Sequence, residues 1–345
     1  MAAPTDAPTA PTYEELIALE QDFDDVDLEI LRQQSRLSEP LYSKRAALVS
    51  QIPHFWPLVL EQSPPELDTF IQPSDSALFA DCLTAIHVER FELDTSPRSI
   101  ALKFEFAPNE YFEDAVLEKK FWYRRSKAGW AGLVSEPVKI RWKKGKDLTK
   151  GLTDAAVALW EARQKVADTT AVNGKETAND KGKGKKAGQL PEYTALARKL
   201  EANDPSGASF FCFFGFVGAK RWISAEENVE AMREERERRE RRRRGEKVEE
   251  EEMDEEEKVD EEEDQADVEI FAGGDEVANV IAEDLWPNAI KYFTSAQEMD
   301  DENMSDMEFE DASGGESEEE VDIRGLVGKG KKSAESSPPP KKRRT

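Results

Sequence analysis

Leu16, Leu19, Phe23, Val26 and Ile30 follow one another at alternating spacings of three and four residues. That interval places them on one stripe of an α-helix, the arrangement of a coiled-coil seam. The stripe resumes at Leu37, changes phase at Pro40, and continues through Leu41, Leu48 and Ile52. Proline inside a helix removes a backbone donor, so the pattern predicts a helix over residues 12–52, kinked near Pro40. At 1.5 Å per residue such a rod is about 60 Å long. Its opposite face carries Glu14, Glu15, Asp24, Asp25, Asp27, Glu29 and Arg32, so water covers that side and the seam needs a partner. A second copy of the chain is the simplest one. Leu16, Leu19, Phe23, Val26, Ile30, Leu37, Leu41 and Leu48 are then the dimerisation contacts. The competing reading folds the helix back on its own domain.

Ile52-Pro53-His54-Phe55-Trp56 ends the rod and opens a different pattern. Short helices are predicted around Phe55, Trp56, Val59 and Leu60, then around Leu67, Phe70 and Ile71. Strands follow. Ile86 to Leu93 changes parity between Val88 and Phe91, which predicts a bulge, and Thr95-Ser96-Pro97-Arg98 reads as a turn. Ile100, Leu102, Phe104 and Phe106 alternate with Ala101, Lys103 and Glu105, the period of a half-buried strand. Phe121 and Tyr123 mark a third strand; Val138, Ile140 and Trp142 mark a fourth. One greasy sheet face needs a cover, which Phe210 to Phe214 and Val277, Val280, Ile281, Leu285 and Trp286 can supply. The expected fold class is α+β, a four-stranded antiparallel sheet covered by helices. Two segments interrupt it: residues 168–190 read as a flexible Gly/Lys/Asn-rich loop, and residues 225–245 as a solvated helix held by Glu–Arg pairs.

Charge is concentrated rather than spread. Glu246 to Asp264 holds fourteen acids against two lysines, and Glu298 to Asp322 holds thirteen acids and no base. These two runs account for all but one unit of the net −26. Such runs cannot bury enough apolar surface to fold and serve as solvated interaction tails. The resulting organisation is a disordered start at 1–11, the dimerisation helix at 12–52, and a domain at 53–297 with inserts at about 168–205 and 219–268. An acidic disordered tail at 298–322 and a basic tail at 323–345 complete it.

Several longer stretches together resemble a known family. They are Pro40 to Arg45, the Ile52 to Trp56 segment, Asn109 to Glu113, Lys139 to Thr149, Ser209 to Phe211, Asp284 to Phe293, and the acidic tail after it. In content and order they resemble the SET-type members of the nucleosome assembly protein family, over roughly residues 13–150, 206–217 and 270–322. The resemblance implies a homodimer on a long antiparallel helix pair, two α/β "earmuff" domains below it, and binding of core histones. It maps the family's acidic underside onto Glu110, Glu113, Asp114, Asp275, Glu276, Glu283 and Asp284. The inserts and the basic terminus depart from the family pattern, and the second insert falls beside the histone-facing region.

The expected function is therefore a homodimeric histone chaperone that shields histones and hands them on in nucleosome assembly without ATP. The alternative is a scaffold that presents histones to an acetyltransferase, or a regulator of another chromatin enzyme. DNA contact is expected to be weak or indirect, because the basic segments are short and lack interleaved aromatics. Lys329 to Lys332 and Lys341, Lys342, Arg343 and Arg344 resemble a bipartite nuclear import signal, so the expected location is the nucleus, with shuttling to the cytoplasm. Ser305, Ser313 and Ser317 each have an acid three residues on, a setting for acid-directed phosphorylation. No catalytic, metal or cofactor site is expected: His54 and His87 lie in no zinc pattern, and Cys82 and Cys212 sit in apolar surroundings as buried thiols. Residues 325–332 nearly spell a phosphate-binding loop, but Lys332 stands where a Ser or Thr is required. No stretch approaches the ~20 apolar residues of a membrane span.

Overall fold

The computed structural model describes residues 12–173, 190–203, 207–218, 222–246 and 268–307. Helix α1 (Tyr13–Val49) opens with a reciprocal cap: Thr12 Oγ1 accepts from the Glu15 amide, and Glu15 accepts from the Thr12 amide at 2.8 Å. It runs as one helix through Pro40 and stops at Val49, three residues before the expected end. His54, in the left-handed region at φ 56°, turns the chain into α2 (Phe55–Glu61), and its Nδ1 lies 3.1 Å from the Ala80 carbonyl. Phe55, Trp56, Val59 and Leu60 are all buried. Two short helices follow, α3 (Pro65–Asp68) and α4 (Pro73–Cys82).

The sheet has the order β1-β2-β3-β4 and is antiparallel throughout, with β1 at Leu83–Glu89, β2 at Ile100–Phe106, β3 at Val116–Arg125 and β4 at Ala131–Ser135. Ile86, Ile100, Leu102, Phe104, Phe106, Leu117 and Phe121 turn one face inward. Against it packs a 3₁₀ segment, Phe210–Gly215, all of whose residues are buried. Asp75 fixes that segment: its fully buried carboxylate accepts from Ser209 Oγ, the Phe210 amide at 2.7 Å and the Gln72 amide at 3.0 Å. One carboxylate thus caps both α4 and the aromatic turn. After β4 come α5 (Leu152–Asn173), α6 (Pro191–Ala202), α7 (Ala225–Arg243), α8 (Gly274–Val280), a π turn at Ile281–Leu285, and α9 (Ala289–Met307).

Four expectations need correction. The fourth strand is Ala131–Ser135, not the stretch containing Val138, Ile140 and Trp142. Pro137 cannot donate to a ladder, and the next amide, Val138, bonds to the Phe214 carbonyl at 2.7 Å, leaving Trp142 with a single bridge to Phe112. The bulge lies between Leu83 and Ala85 instead of Val88 and Phe91, because β1 ends at Glu89 and residues 91–95 form a turn. The stretch 168–190 is not loop throughout, since α5 extends to Asn173. α6 packs against α5, so most of the described residues of the first insert are helical. Finally, α9 continues to Met307, past the expected start of the acidic tail at 298. Residues 308–345, with the candidate import residues Lys341, Lys342, Arg343 and Arg344, and Ser313 and Ser317, lie outside the described residues.

Candidate functional site: an uncovered helical seam and separated acidic edges

All eight predicted dimerisation residues of α1 are apolar and lie between 52% and 76% exposed in the single chain. Soluble chains rarely leave a contiguous apolar stripe of this length open to water. The opposite end of the helix is firmly tied to the domain. Arg45, itself buried, donates from Nη1 to the Pro287 carbonyl at 3.2 Å and to the Trp286 carbonyl. Its guanidinium lies 4.5 Å from the Trp286 ring centroid and 4.8 Å from that of Tyr42. The π turn presents this tryptophan: the Trp286 amide bonds back to the Ile281 carbonyl, and its indole Nε1 donates to the Ile86 carbonyl at 2.9 Å. That contact also blunts the free edge of β1.

The seven candidate acids do not form one cluster. Glu110, Glu113 and Asp114 share the β2–β3 connection, where Lys143, Lys146 and Arg141 stand among them. Asp114 takes the Arg141 Nε and amide at 2.7 Å each, and Glu110 takes Lys146 Nζ at 2.7 Å. Glu283 lies past the other end of the strands, paired with Arg90; a strand of seven residues separates the two groups by about 20 Å. Asp275 and Glu283 line a groove with Asp27 of α1, facing Arg98 and Tyr123. Glu276 sits in the first turn of α8, its carboxylate near Gly273. Asp284 is occupied within its own segment, accepting from Tyr292 Oη and Asn288 Nδ2, both at 2.9 Å. Burial, and then the bond and charge of Asp284, push the pKa of the Tyr292 hydroxyl up to about 12.

Burial likewise pushes the Cys82 and Cys212 thiols up to about 12, opposite to the low value a nucleophile requires. Among the described residues no group of three or more His, Cys, Asp or Glu is placed to hold a metal ion, and no helix is long and apolar enough to cross a membrane. Two features escaped the sequence reading. Lys119, wholly buried in β3, donates to the carbonyls of Glu136, Phe214 and Phe216 at 3.0, 3.1 and 2.8 Å. Glu269, half-buried, accepts from the amides of Val217, Gly218 and Phe271. The alternation of β3 puts Lys119 on the inward face with Leu117 and Phe121, so strand parity is the signal that could have found it. The second feature is the contact of α7 with α1, developed below.

A helical rod with an uncovered seam, mounted on a helix-covered antiparallel sheet with carboxylates along its edges, defines a protein built for binding. The sequence profile of the nucleosome assembly protein (NAP) family matches residues 8–296. The chain belongs to that family. It is 38% identical over 149 residues to a putative nucleosome assembly protein of Schizosaccharomyces pombe, covering 40% of this chain and 60% of that relative. It is 25% identical over 317 residues to NAP1-related protein 1 of Oryza sativa, covering 88% of this chain and 83% of that one. A shorter match, 32% identical over 140 residues, is to Protein SET of Drosophila melanogaster, with 39% of this chain and 50% of that protein aligned. Among solved structures, Ccp1 superposes with a TM-score of 0.47 at 26% identity, covering 88% of this chain and 98% of that one. The Vps75 histone chaperone gives 0.45 at 18% identity, with 82% and 97% covered.

Proposed function

We propose that this chain is a homodimeric histone chaperone, working in the nucleus, that binds core histones through its carboxylates and releases them to DNA without ATP. The observation that carries the reading is the NAP-family match over residues 8–296 in a chain whose two acidic runs hold nearly all of its net charge of −26. Free histones are strongly basic and bind DNA indiscriminately. Carboxylates in solution neutralise them over a Debye length of about 8 Å at physiological salt, so the association is reversible and salt-sensitive. DNA competes through its own phosphates and counterion release, which drives the hand-over. Dimerisation through the α1 seam sets two domains on one rod and doubles the acidic surface offered to one cargo.

Within this reading Glu113, Asp275 and Glu276 are the folded-domain contacts, and Glu110 and Glu283 join them by exchanging Lys146 and Arg90 for a cationic cargo. Asp284 and Asp114 act at second hand, since they hold Tyr292 and Arg141. Sedimentation of purified protein with core histones over a salt series tests the proposal. The expected result is a dimer whose histone affinity falls as salt rises, and falls further when Glu298–Asp322 is deleted. Insensitivity to both manipulations refutes the role of the carboxylates; a monomer refutes the role of the seam. Stimulation of a histone acetyltransferase without any histone deposition on DNA would instead favour the presenting scaffold.

A further inference from the structure

Among the described residues, all of the hydrogen bonds and ion pairs that residues 13–31 make beyond α1 and its Thr12 cap go to α7. Arg239 reaches Asp22 at 2.6 Å and also Asp25; Arg243 pairs with Asp22 as well. Arg242, almost fully buried, lies 3.3 Å from Glu14, and Gln21 donates to Glu235 at 2.7 Å. Glu14, Ala18, Gln21 and Asp25 recur at four, three and four residues, which is one helical face, and it is not the face of Leu16, Phe23 and Ile30. Ala231, Glu235 and Arg242 form the matching face of α7. Ala18 and Ala231 are both buried, and small residues at both surfaces let the helices approach closely. The contact therefore leaves the seam open.

The other end of α7 is rooted in the sheet. Asn228 Oδ1 accepts from the Arg125 amide at 2.8 Å, Glu230 pairs with Lys127, and the Ile223 carbonyl accepts from Arg124 at 2.9 Å. Trp222, just before the helix, packs edge-on against Trp160 and Trp122. Between these two attachments the rod crosses the groove containing Asp27, Asp275 and Glu283, and among the described residues no hydrogen bond or ion pair spans that groove to residues 27–31. Pairing with α7's arginines holds Asp22 below the ordinary carboxylate range. Arg241, Arg242 and Arg243 also sit in the last turn, where a cation favours the helix itself.

We propose that α7 is an ion-pair strap that fixes the N-terminal half of the long helix over the domain, and that salt or loss of its arginines lets that half swing away from the groove. The strap couples the angle of the rod to ionic strength. It also gives the charged stretch 225–245, read from sequence as a solvated helix, a mechanical role. Surface pairs weaken as the Debye length shrinks from about 8 Å at physiological salt to about 3 Å at 1 M, whereas apolar packing does not. The inference concerns the shape of a single protomer and stands whether or not histones are the cargo.

Spin labels at Glu20→Cys and Lys139→Cys report the distance, with labelled chain diluted into excess unlabelled protein so that only one protomer is read. The native Cys82 and Cys212 are buried and do not compete for the label. In 0.1 M salt a single narrow distance is expected. In 1 M salt, or in Arg239→Asp/Arg243→Asp at 0.1 M, the distribution broadens and lengthens, and amides of residues 13–28 exchange about tenfold faster. Adding Asp22→Arg/Asp25→Arg to the arginine variant should restore the narrow distance by reversing the pairs that Arg239 and Arg243 make with Asp22 and Asp25. A distance unmoved by salt and by the arginine variant overturns the proposal. A variant that shifts but is not rescued by the reversed pairs also overturns it, because the helix end rather than the ion pairs would then hold the rod.

Discussion

Replacing Phe23 by Asp puts a charge in the middle of the seam while leaving the domain's core untouched. In the single chain Phe23 is 60% exposed. An aromatic side chain buries about 150–250 Å² in full, so covering that exposed share removes roughly 90–150 Å² from water. At about 25 cal/mol per Å² this is roughly 2–4 kcal/mol per copy. A twofold dimer feels each substitution twice, so Phe23→Asp should cost about 5–7 kcal/mol, or roughly three to five decades in the dissociation constant. Phe23→Leu keeps most of that area and should cost about 1–1.5 kcal/mol over the dimer, roughly one decade in the dissociation constant. Sedimentation velocity from 0.1 to 50 μM reads the dissociation directly, and thermal unfolding reads the domain. The expected outcome is a folded monomer for Phe23→Asp and a dimer for Phe23→Leu. If Phe23→Asp dimerises with wild-type affinity, the seam is not the interface, whatever else joins two copies.

Further outcomes follow from the same geometry. Leu16 and Leu48 are equidistant from Arg32, as are Phe23 and Leu41, so an antiparallel pair brings exposed residues opposite exposed residues; oxidation should cross-link Leu16→Cys/Leu48→Cys between chains but neither single variant, and efficient cross-linking of Leu16→Cys alone would show a parallel pair. Arg45→Ala should destabilise the domain by about 2–4 kcal/mol in urea titration, by removing a buried cation held between Tyr42 and Trp286, and Arg45→Lys should recover little because an ammonium cannot stack as a guanidinium does. Lys119→Ala leaves the Glu136, Phe214 and Phe216 carbonyls without their donor and should cost about 3–5 kcal/mol, enough to loosen the aromatic turn in proteolysis assays.

Lys119 and Glu269 also predict a pH dependence. Burial raises Glu269 from 4.5 to about 7 and lowers Lys119 from 10.5 to about 7. A raised carboxyl stabilises fully below its unfolded value of 4.5 and loses that contribution as pH rises to about 7. A lowered amine contributes its penalty as pH falls from 10.5 toward 7. Both limbs therefore make the pair least favourable near neutrality. Glu269→Gln removes the acid limb, so its stability relative to wild type should improve between pH 5 and pH 7 by about 1–3 kcal/mol in urea unfolding. A difference that stays flat over that window means the carboxyl does not titrate there.

Much of the scaffold could be read from local periodicity. The three-and-four spacing from Leu16 to Ile30 predicts a helix with one uncovered face, and the structure leaves that face exposed. The alternation Ile100, Leu102, Phe104, Phe106 predicts β2 and its inward face, and Phe210 to Phe214 and Leu285 do cover the sheet. The fourth strand is hard to place from sequence for a local reason: Ala131-Gly132-Leu133-Val134-Ser135 has weak alternation, while the stronger apolar run after Pro137 spends its amide on Phe214. The candidate acids were legible as residue types but not as a site. Nothing in the spacing of Asp114 and Arg141 says that they pair, or that Asp284 is taken by Tyr292.

Helix and strand periods, the two acidic runs and the family motifs were set by residues adjacent along the chain, whose geometry needs no long-range information. Which carboxylates remain free, where Lys119 finds its three carbonyls, and that the arginines of α7 land on Asp22 and Asp25 were settled by residues distant in sequence. Those outcomes depend on how sheet, aromatic turn and rod pack together, because a charge is neutralised or left open by whatever the closed fold brings within about 4 Å of it.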